Sequence, residues 1–235
     1  MKSQVRSIIV LAAFAGSLLP IAAVATPPAE SSVALVSKVV LDVTRKEVTK
    51  DWQIAKRGET LSSGDRVKTG EKSVAVIKFK DNSLVRVRER SELTVTGTTQ
   101  GSSFSKSVNV QSGVVGFNIR KQQPDEVFRF ASPTSVASIR GTGGQFTSHD
   151  LFDTLTVVEG AVLMTNSKSS DSVVVQAGFT GLSNPDGTIS SRPATPEELT
   201  AAQNASRLSD QENRLEIELR DNQGNRKELK IDIKE

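Results

Sequence analysis

One pattern recurs three times and restricts the fold more than any other feature of this sequence. Val108–Phe117, Leu155–Met164 and Val173–Leu182 each read as a short strand, a two-residue link, a glycine and a second short strand. Valine-rich alternation of period 2 marks a β-strand with one buried face. Gly113, Gly160 and Gly178 then give each unit a place to bend sharply between its two strands. The spacing between copies is unequal, which rules out a solenoid of fixed period. The pattern predicts an all-β domain, β-solenoid-like or sandwich-like, built of short strands stacked as arches.

A fourth corner is expected in Ser138–Phe146, where Gly141, Gly143 and Gly144 fall within four residues between two extended runs. A glycine-rich loop can also cradle a phosphate, but that chemistry needs a following Gly-Lys-Ser/Thr and a helix opening after the glycines. Neither is present, so the stretch reads as a structural corner.

Upstream, Val39, Leu41 and Val43 alternate with Val40, Asp42 and Thr44, which suits a half-buried strand, and Gly58 to Gly70 is dense in turn residues. Ala75/Ile77/Phe79 and Val85/Val87 form a hairpin pattern around Asp81-Asn82-Ser83. A three-residue loop sets Phe79 against Val85 and Ile77 against Val87, which keeps one face apolar. It also places a left-handed residue in the turn, which Asn82 tolerates. The outer face would carry Lys78 beside Arg86, with Lys80, Arg88 and Arg90 nearby. That face is a candidate surface for an anionic glycan or lipid head group; the plainer reading is a solvated face neutralised by Glu89 and Glu92.

After a linker the pattern changes. Thr195-Pro196-Glu197-Glu198 supplies a capping hydroxyl, a proline at the first helical position and a glutamate at the third, so a helix is expected from there to about Asp210. Leu215/Ile217/Leu219 and Leu229/Ile231/Ile233 then alternate with charges around Asp221–Asn225, which reads as a terminal β-hairpin. A lone hairpin is marginal in water. Its apolar stripe, with Ile217 and Ile231, is therefore expected to dock on the main domain or on another protein.

The first 25 residues read as an export signal: Lys2 and Arg6, an apolar run from Ile8 to Leu19, Pro20, and a small-x-small site at Ala23-Val24-Ala25. The rival reading is an uncleaved inner-membrane anchor. The expected organisation is a signal peptide over 1–25, a leader over 26–32, a β domain over 33–192 and a helix-plus-hairpin appendage over 193–235. The mature protein is expected to be periplasmic or otherwise exported. Discounting Lys2 and Arg6 leaves 28 of 30 basic residues against 27 acidic ones, a balance that argues against nucleic-acid binding.

Cysteine is absent, which removes disulfides, thiol metal sites and cysteine nucleophiles from consideration. His149 is the single histidine and lacks legible catalytic partners; Asp150-x-x-Asp153 beside it reads as a solvated turn. Tyrosine is absent and Trp52 is the sole tryptophan, so no aromatic platform for sugars is expected. No cofactor or metal is expected and no enzymatic activity is assigned. Nothing in the sequence points to an oligomeric state.

Several separate motifs together resemble one family. They are Leu61-x-x-Gly64-Asp65-x-Val67-x-Thr69-Gly70, Ser73-x-Ala75, Asp81-Asn82-Ser83-Leu84, Ser91-x-Leu93, Ser112-Gly113, Ser132-Pro133-Thr134, Arg140-Gly141-Thr142 with Phe146, and Val157-x-x-Gly160-x-Val162. In order and spacing they resemble the FecR domain over roughly Val33 to Ser183. Two departures lie at turns: Asn82 stands where the family usually has glycine, and three residues, in place of one, separate Thr142 from Phe146. The resemblance implies an all-β periplasmic domain. Its best-known members are inner-membrane regulators of a sigma factor whose outer domain contacts a transporter's signalling domain. Only a few residues precede the apolar run here, which matches a stand-alone exported variety. The resulting expectation is a non-catalytic module that binds an envelope protein, with a cell-wall or polysaccharide adaptor as the alternative.

Overall fold

The computed structural model describes residues 32–100, 103–124, 126–149 and 151–207, and the backbone of 214–220 and 226–232. The expected signal peptide, most of the leader, Asp150 and the hairpin tip Asp221–Asn225 lie outside the described residues.

Apart from two central strands, Glu92–Gln100 and Ser103–Asn118, the strands are short, as the alternation predicted. The N-terminal set is β1 (Ala34–Val40), β2 (Val43–Lys46), β3 (Gln53–Ile54), β4 (Thr60–Leu61), β5 (Arg66–Thr69), β6 (Val74–Phe79) and β7 (Leu84–Val87). The central set is β8 (Glu92–Gln100), β9 (Ser103–Asn118), β10 (Phe128–Ala131), β11 (Ser135–Ile139) and β12 (Gly143–Ser148). Then come β13 (Asp153–Glu159), β14 (Ala161–Asn166), β15 (Ser172–Gln176), β16 (Phe179–Ser183) and β17 (Ile189–Pro193). Helix α1 (Pro196–Ser206) and the pair β18 (Arg214–Arg220) and β19 (Arg226–Asp232) follow.

Two open sheets result. Sheet A runs β4-β1-β6-β7-β9-β12-β13-β16-β17, and sheet B runs β3-β2-β5-β8-β9-β10-β11-β14-β15. The long strand β9 belongs to both: its first part pairs with β8 and β10, and beyond Gly113 it pairs with β7 and β12. Only the β9–β10 ladder is parallel among these pairings. The pair β18–β19 forms a separate two-stranded antiparallel sheet.

The chain crosses repeatedly between the sheets, and the crossings share one backbone device. Leu41, Gly58, Gly64, Lys72, Arg90, Gly113, Gly141, Gly160 and Gly178 all have positive φ, and each lies at or beside a crossing. The β9–β10 crossing has no such residue among its described residues. The three repeated glycines and the Gly141 corner therefore do what their spacing predicted.

Between the sheets lies a core of valine, leucine and isoleucine with a row of phenylalanines. Phe79 meets Phe128 edge-on at 4.9 Å between ring centres, Phe130 meets Phe117 at 5.0 Å and Phe128 at 5.5 Å, and Phe146 stacks on Phe130 at 6.0 Å. Offset and edge contacts of this kind add to the burial of ring area.

The β6–β7 hairpin corrects the expected register. Ile77 lies opposite Val85 and Ala75 opposite Val87, and the loop is Lys80–Asn82, with Asn82 left-handed at φ 63°. The cause is local: the Asp81 carboxylate accepts from the Ser83 amide (3.0 Å) and hydroxyl (2.9 Å), drawing Ser83 into the strand opposite Phe79. The slip is an even number of residues, so the apolar face survives. Lys78, however, faces Leu84 across the ladder, and Arg86 faces Val76.

One pair of corners separates backbone strain from crowding. A Cβ on Gly178 (φ 81°) would meet nothing within 4 Å, whereas one on Gly113 (φ 96°) would lie 2.6 Å from the Ser91 Cα. Gly178→Ala should cost about 1–2 kcal/mol, the left-handed backbone term alone. Gly113→Ala should cost more by roughly another 1–3 kcal/mol, because the neighbouring corner must move. Guanidinium unfolding of the two variants checks this, and equal losses would refute the crowding.

Candidate functional site

The outer face of sheet A is where the sequence placed its basic surface, and there the structure places α1. The helix starts as its sequence predicted. The Thr195 hydroxyl accepts from the Glu198 amide at 3.2 Å, and the Thr195 amide donates to the Glu198 carboxylate at 2.8 Å. Arg192, at the end of β17, grips the same carboxylate through two nitrogens at 2.9 and 2.7 Å, and Thr180 on β16 donates to it at 3.2 Å. The Arg192 guanidinium is the main cause that holds the Glu198 carboxyl down to about 2, burial working against it.

At the other end Arg86, 4% exposed, donates to the carbonyl oxygens of Asn204 (3.3 Å) and Arg207 (3.1 Å). These are terminal carbonyls of a helix, which lack intrahelical partners and carry the negative end of its dipole. Arg86 is therefore a buried cap for α1, and its expected place on an open basic face is corrected. The helix bears on the sheet through Ala202, Ala205 and Ser206. It can lie this close because Gly116, opposite Arg86 on β9, has no side chain; a Cβ there would fall 2.3 Å from the Ala205 carbonyl. From Thr180 on β16 to Arg86 on β7 is four strand spacings, about 19 Å. The helix's 11 residues span about 16 Å, so its length suits the crossing.

Lys78 is half-buried on the same face of the β6–β7 hairpin as Arg86, and Arg88, half-buried just past β7, donates its amide to the Val114 carbonyl at 3.0 Å. In the terminal hairpin Ile217 pairs with Leu229 and Ile231 with Leu215; their side chains lie outside the described residues.

The motif residues act as fasteners of the corners. Asp65 accepts from the Ser62 amide at 2.9 Å, and its carbonyl takes the Val95 amide at 2.9 Å. The Thr69 hydroxyl donates to the Ser91 carbonyl at 3.2 Å and accepts from the Ser91 amide at 3.1 Å, tying two corners together. A Cβ on Gly70 would strike the Asp42 carboxylate, and one on Gly160 would crowd Gly141 and Thr142, so these corners stack tightly. Gly64 takes a left-handed φ of 94°, Phe146 lies in the aromatic row and Arg140 is exposed.

Two buried polar clusters were not legible in the sequence. Lys106, 2% exposed on β9, donates to Asp81 at 2.6 Å and to Gln122 at 3.0 Å, pinning the β9–β10 loop to the β6–β7 turn. Burial pushes the Asp81 carboxyl up, but hydrogen bonds from Lys106, Gln122 and the Ser83 amide outweigh it and leave its pKa below the ordinary value. Asp153, expected in a solvated turn, is fully buried instead. Its carboxylate accepts from the hydroxyls of Ser132, Thr134 and Ser135, which replace water and hold the Ser132-Pro133-Thr134 turn. His149 is exposed with its ring 5.2 Å from Phe152, and no group of three metal-binding side chains occurs among the described residues.

The docking of α1 should depend on pH with a defined sign. Glu198 has its folded pKa depressed, so its contribution is fully present above the unfolded value near 4.5 and is lost as pH falls towards about 2. Hydrogen-exchange protection over 196–207, taken relative to the intrinsic amide rate at each pH, should be constant above pH 5 and fall below it, while Glu198→Gln should be less protected and show less change with pH. An unchanged wild-type profile down to pH 2 would contradict the assignment.

The model of the family described as FecR protein matches residues 65–163. Two crystal structures of a candidate anti-sigma factor from Parabacteroides distasonis resemble the chain at 14% identity and a TM-score of 0.49. They cover 58% of this chain, and the match spans 63% and 62% of theirs. No curated protein matches the chain. Strands β1–β4 and β15–β17 lie outside the family match yet pair within the same two sheets. Residues 65–163 of this chain are a FecR domain.

Proposed function

We propose that this chain is a non-catalytic regulatory module of the bacterial cell envelope, exported to the periplasm, that works by binding another protein. The FecR domain supports a regulatory role, and the signal-like leader supports export. The observation that carries protein binding is the edge strand β15. Among the described residues it pairs on one side only, with β14. Its five residues hold no charge and no proline. Val174 (54% exposed) lies directly opposite Leu163 (47% exposed), so an open edge adjoins an open apolar pair.

The other sheet edges are blunted. β3 and β4 are two residues each, and β17 carries Arg192 and ends in Pro193. Short edges, charge and proline are the devices that prevent unwanted strand pairing. β15 lacks them, which suits β-augmentation by an extended segment with alternating apolar residues. The glycan-adaptor alternative on the Lys78/Arg86/Arg88 face loses its central residue, because Arg86 is engaged with α1.

A photo-crosslinking residue at Gln176, exposed on the same strand, should capture one envelope protein in cells, and one at Lys80 should not. Val174→Lys should weaken that capture about tenfold or more while leaving the melting temperature unchanged, since an edge lysine opposes strand addition. Capture unaffected by Val174→Lys would remove β15 from the proposal.

A further inference from the structure

We infer that the outer face of sheet B, at its β2–β5 end, carries a binding site for a carboxylated pyranose sugar. The site is a shallow depression of about 200 Å³ that includes Asp42, Thr44, Trp52 and Lys68 in its lining. Strand register brings these residues together from distant parts of the sequence. Thr44 on β2 lies opposite Lys68 on β5 and opposite Ile54 on β3, so their side chains share one face, and Trp52 is two residues before Ile54 on that face. Trp52 is 37% exposed, and the Arg66 guanidinium lies 5.3 Å from its ring centre.

The four groups ask for different things of a ligand. An exposed indole face attracts the weakly positive C–H groups along one side of a sugar ring, by the electrostatics that favour edge-on contacts. The Asp42 carboxylate is an acceptor only and suits paired hydroxyl donors. Thr44 can donate or accept. Lys68 is exposed, and among the described residues no carboxylate lies within ion-pair distance of it, the opposite Glu92 being engaged by Arg66. An unoffset ammonium beside an indole suits a carboxylate on the ring. Lys46, on the same face one pair along and opposite Arg66, adds to the positive field.

A bare phosphate would be repelled by Asp42 and would leave the indole unused. An acyl chain would leave both charges unanswered. A neutral sugar would leave Lys68 without a partner. A pyranose with a carboxylate, either a uronate or a muramic acid with its lactyl group, satisfies all four.

The sole tryptophan and the absence of tyrosine make the site its own reporter. The full chain is titrated with a galacturonic acid trisaccharide, with the disaccharide of N-acetylglucosamine and N-acetylmuramic acid, and with neutral maltotriose, following indole emission. Saturable change with either acidic sugar, at least tenfold weaker with maltotriose, supports the site and identifies the source of the carboxylate. By calorimetry, Lys68→Gln should weaken the acidic sugar about tenfold, the loss of one charge-assisted hydrogen bond. Trp52→Ala should weaken it by a similar factor, with both variants melting as the parent does. No saturable change with either acidic sugar overturns the proposal. So does maltotriose binding as tightly as they do, or Lys68→Gln binding as the parent does.

Discussion

The structure depends on a backbone constraint: a chain that alternates between two facing sheets must reverse direction in very few residues. At its short crossings the chain does this with one residue in the left-handed region. Gly58, Gly64, Gly113, Gly141, Gly160 and Gly178 supply it without a Cβ clash. Leu41, Lys72 and Arg90 supply it at a cost of about 1–2 kcal/mol each, which burial on either side must offset. Because the corners stack, each leaves little room for the next. Ser91 fits under Gly113 and Gly141 over Gly160, so a corner residue is chosen both for its own φ and for its neighbour's bulk.

Charges in this fold are placed by what they close. Lys106 with Asp81 and Gln122 closes one loop, and Asp153 with three hydroxyls closes the Ser132–Ser135 turn. Arg86 and the Arg192–Glu198 pair close the two ends of α1. Buried charge is tolerated only where several partners replace water, and each of these groups has more than one. The helix itself buries little beyond two alanines and a serine, and an isolated helix of 11 residues is marginal. Its attachment to sheet A therefore rests on polar contacts at its two ends.

The outer faces divide accordingly. Sheet A is partly covered by α1, which occupies the region where a basic surface was expected. Among the described residues no helix covers the outer face of sheet B, which is polar and basic with a tryptophan at the β2–β5 end and apolar at the β14–β15 end. Both proposed sites lie on the sheet whose outer face α1 does not cross, the depression at one end and the strand edge at the other.

The fold class, the glycine corners, the helix start at Thr195 and the pairing of the terminal strands were legible in the sequence. Each depends on the conformational preference of a few adjacent residues: period-2 alternation, φ > 0 at glycine, a capping hydroxyl three residues before a glutamate. The position of Arg86 was not legible, because the carbonyls it caps lie about 120 residues away. Nor was the burial of Asp153, whose solvating hydroxyls precede it by about 20 residues, or the meeting of Trp52 with Lys68. Local sequence determined where the chain bends and which faces are apolar, since those are short-range steric and hydrophobic choices. Which polar side chains are buried, and which face is covered, was decided only by tertiary structure, because those outcomes depend on what distant strands bring alongside.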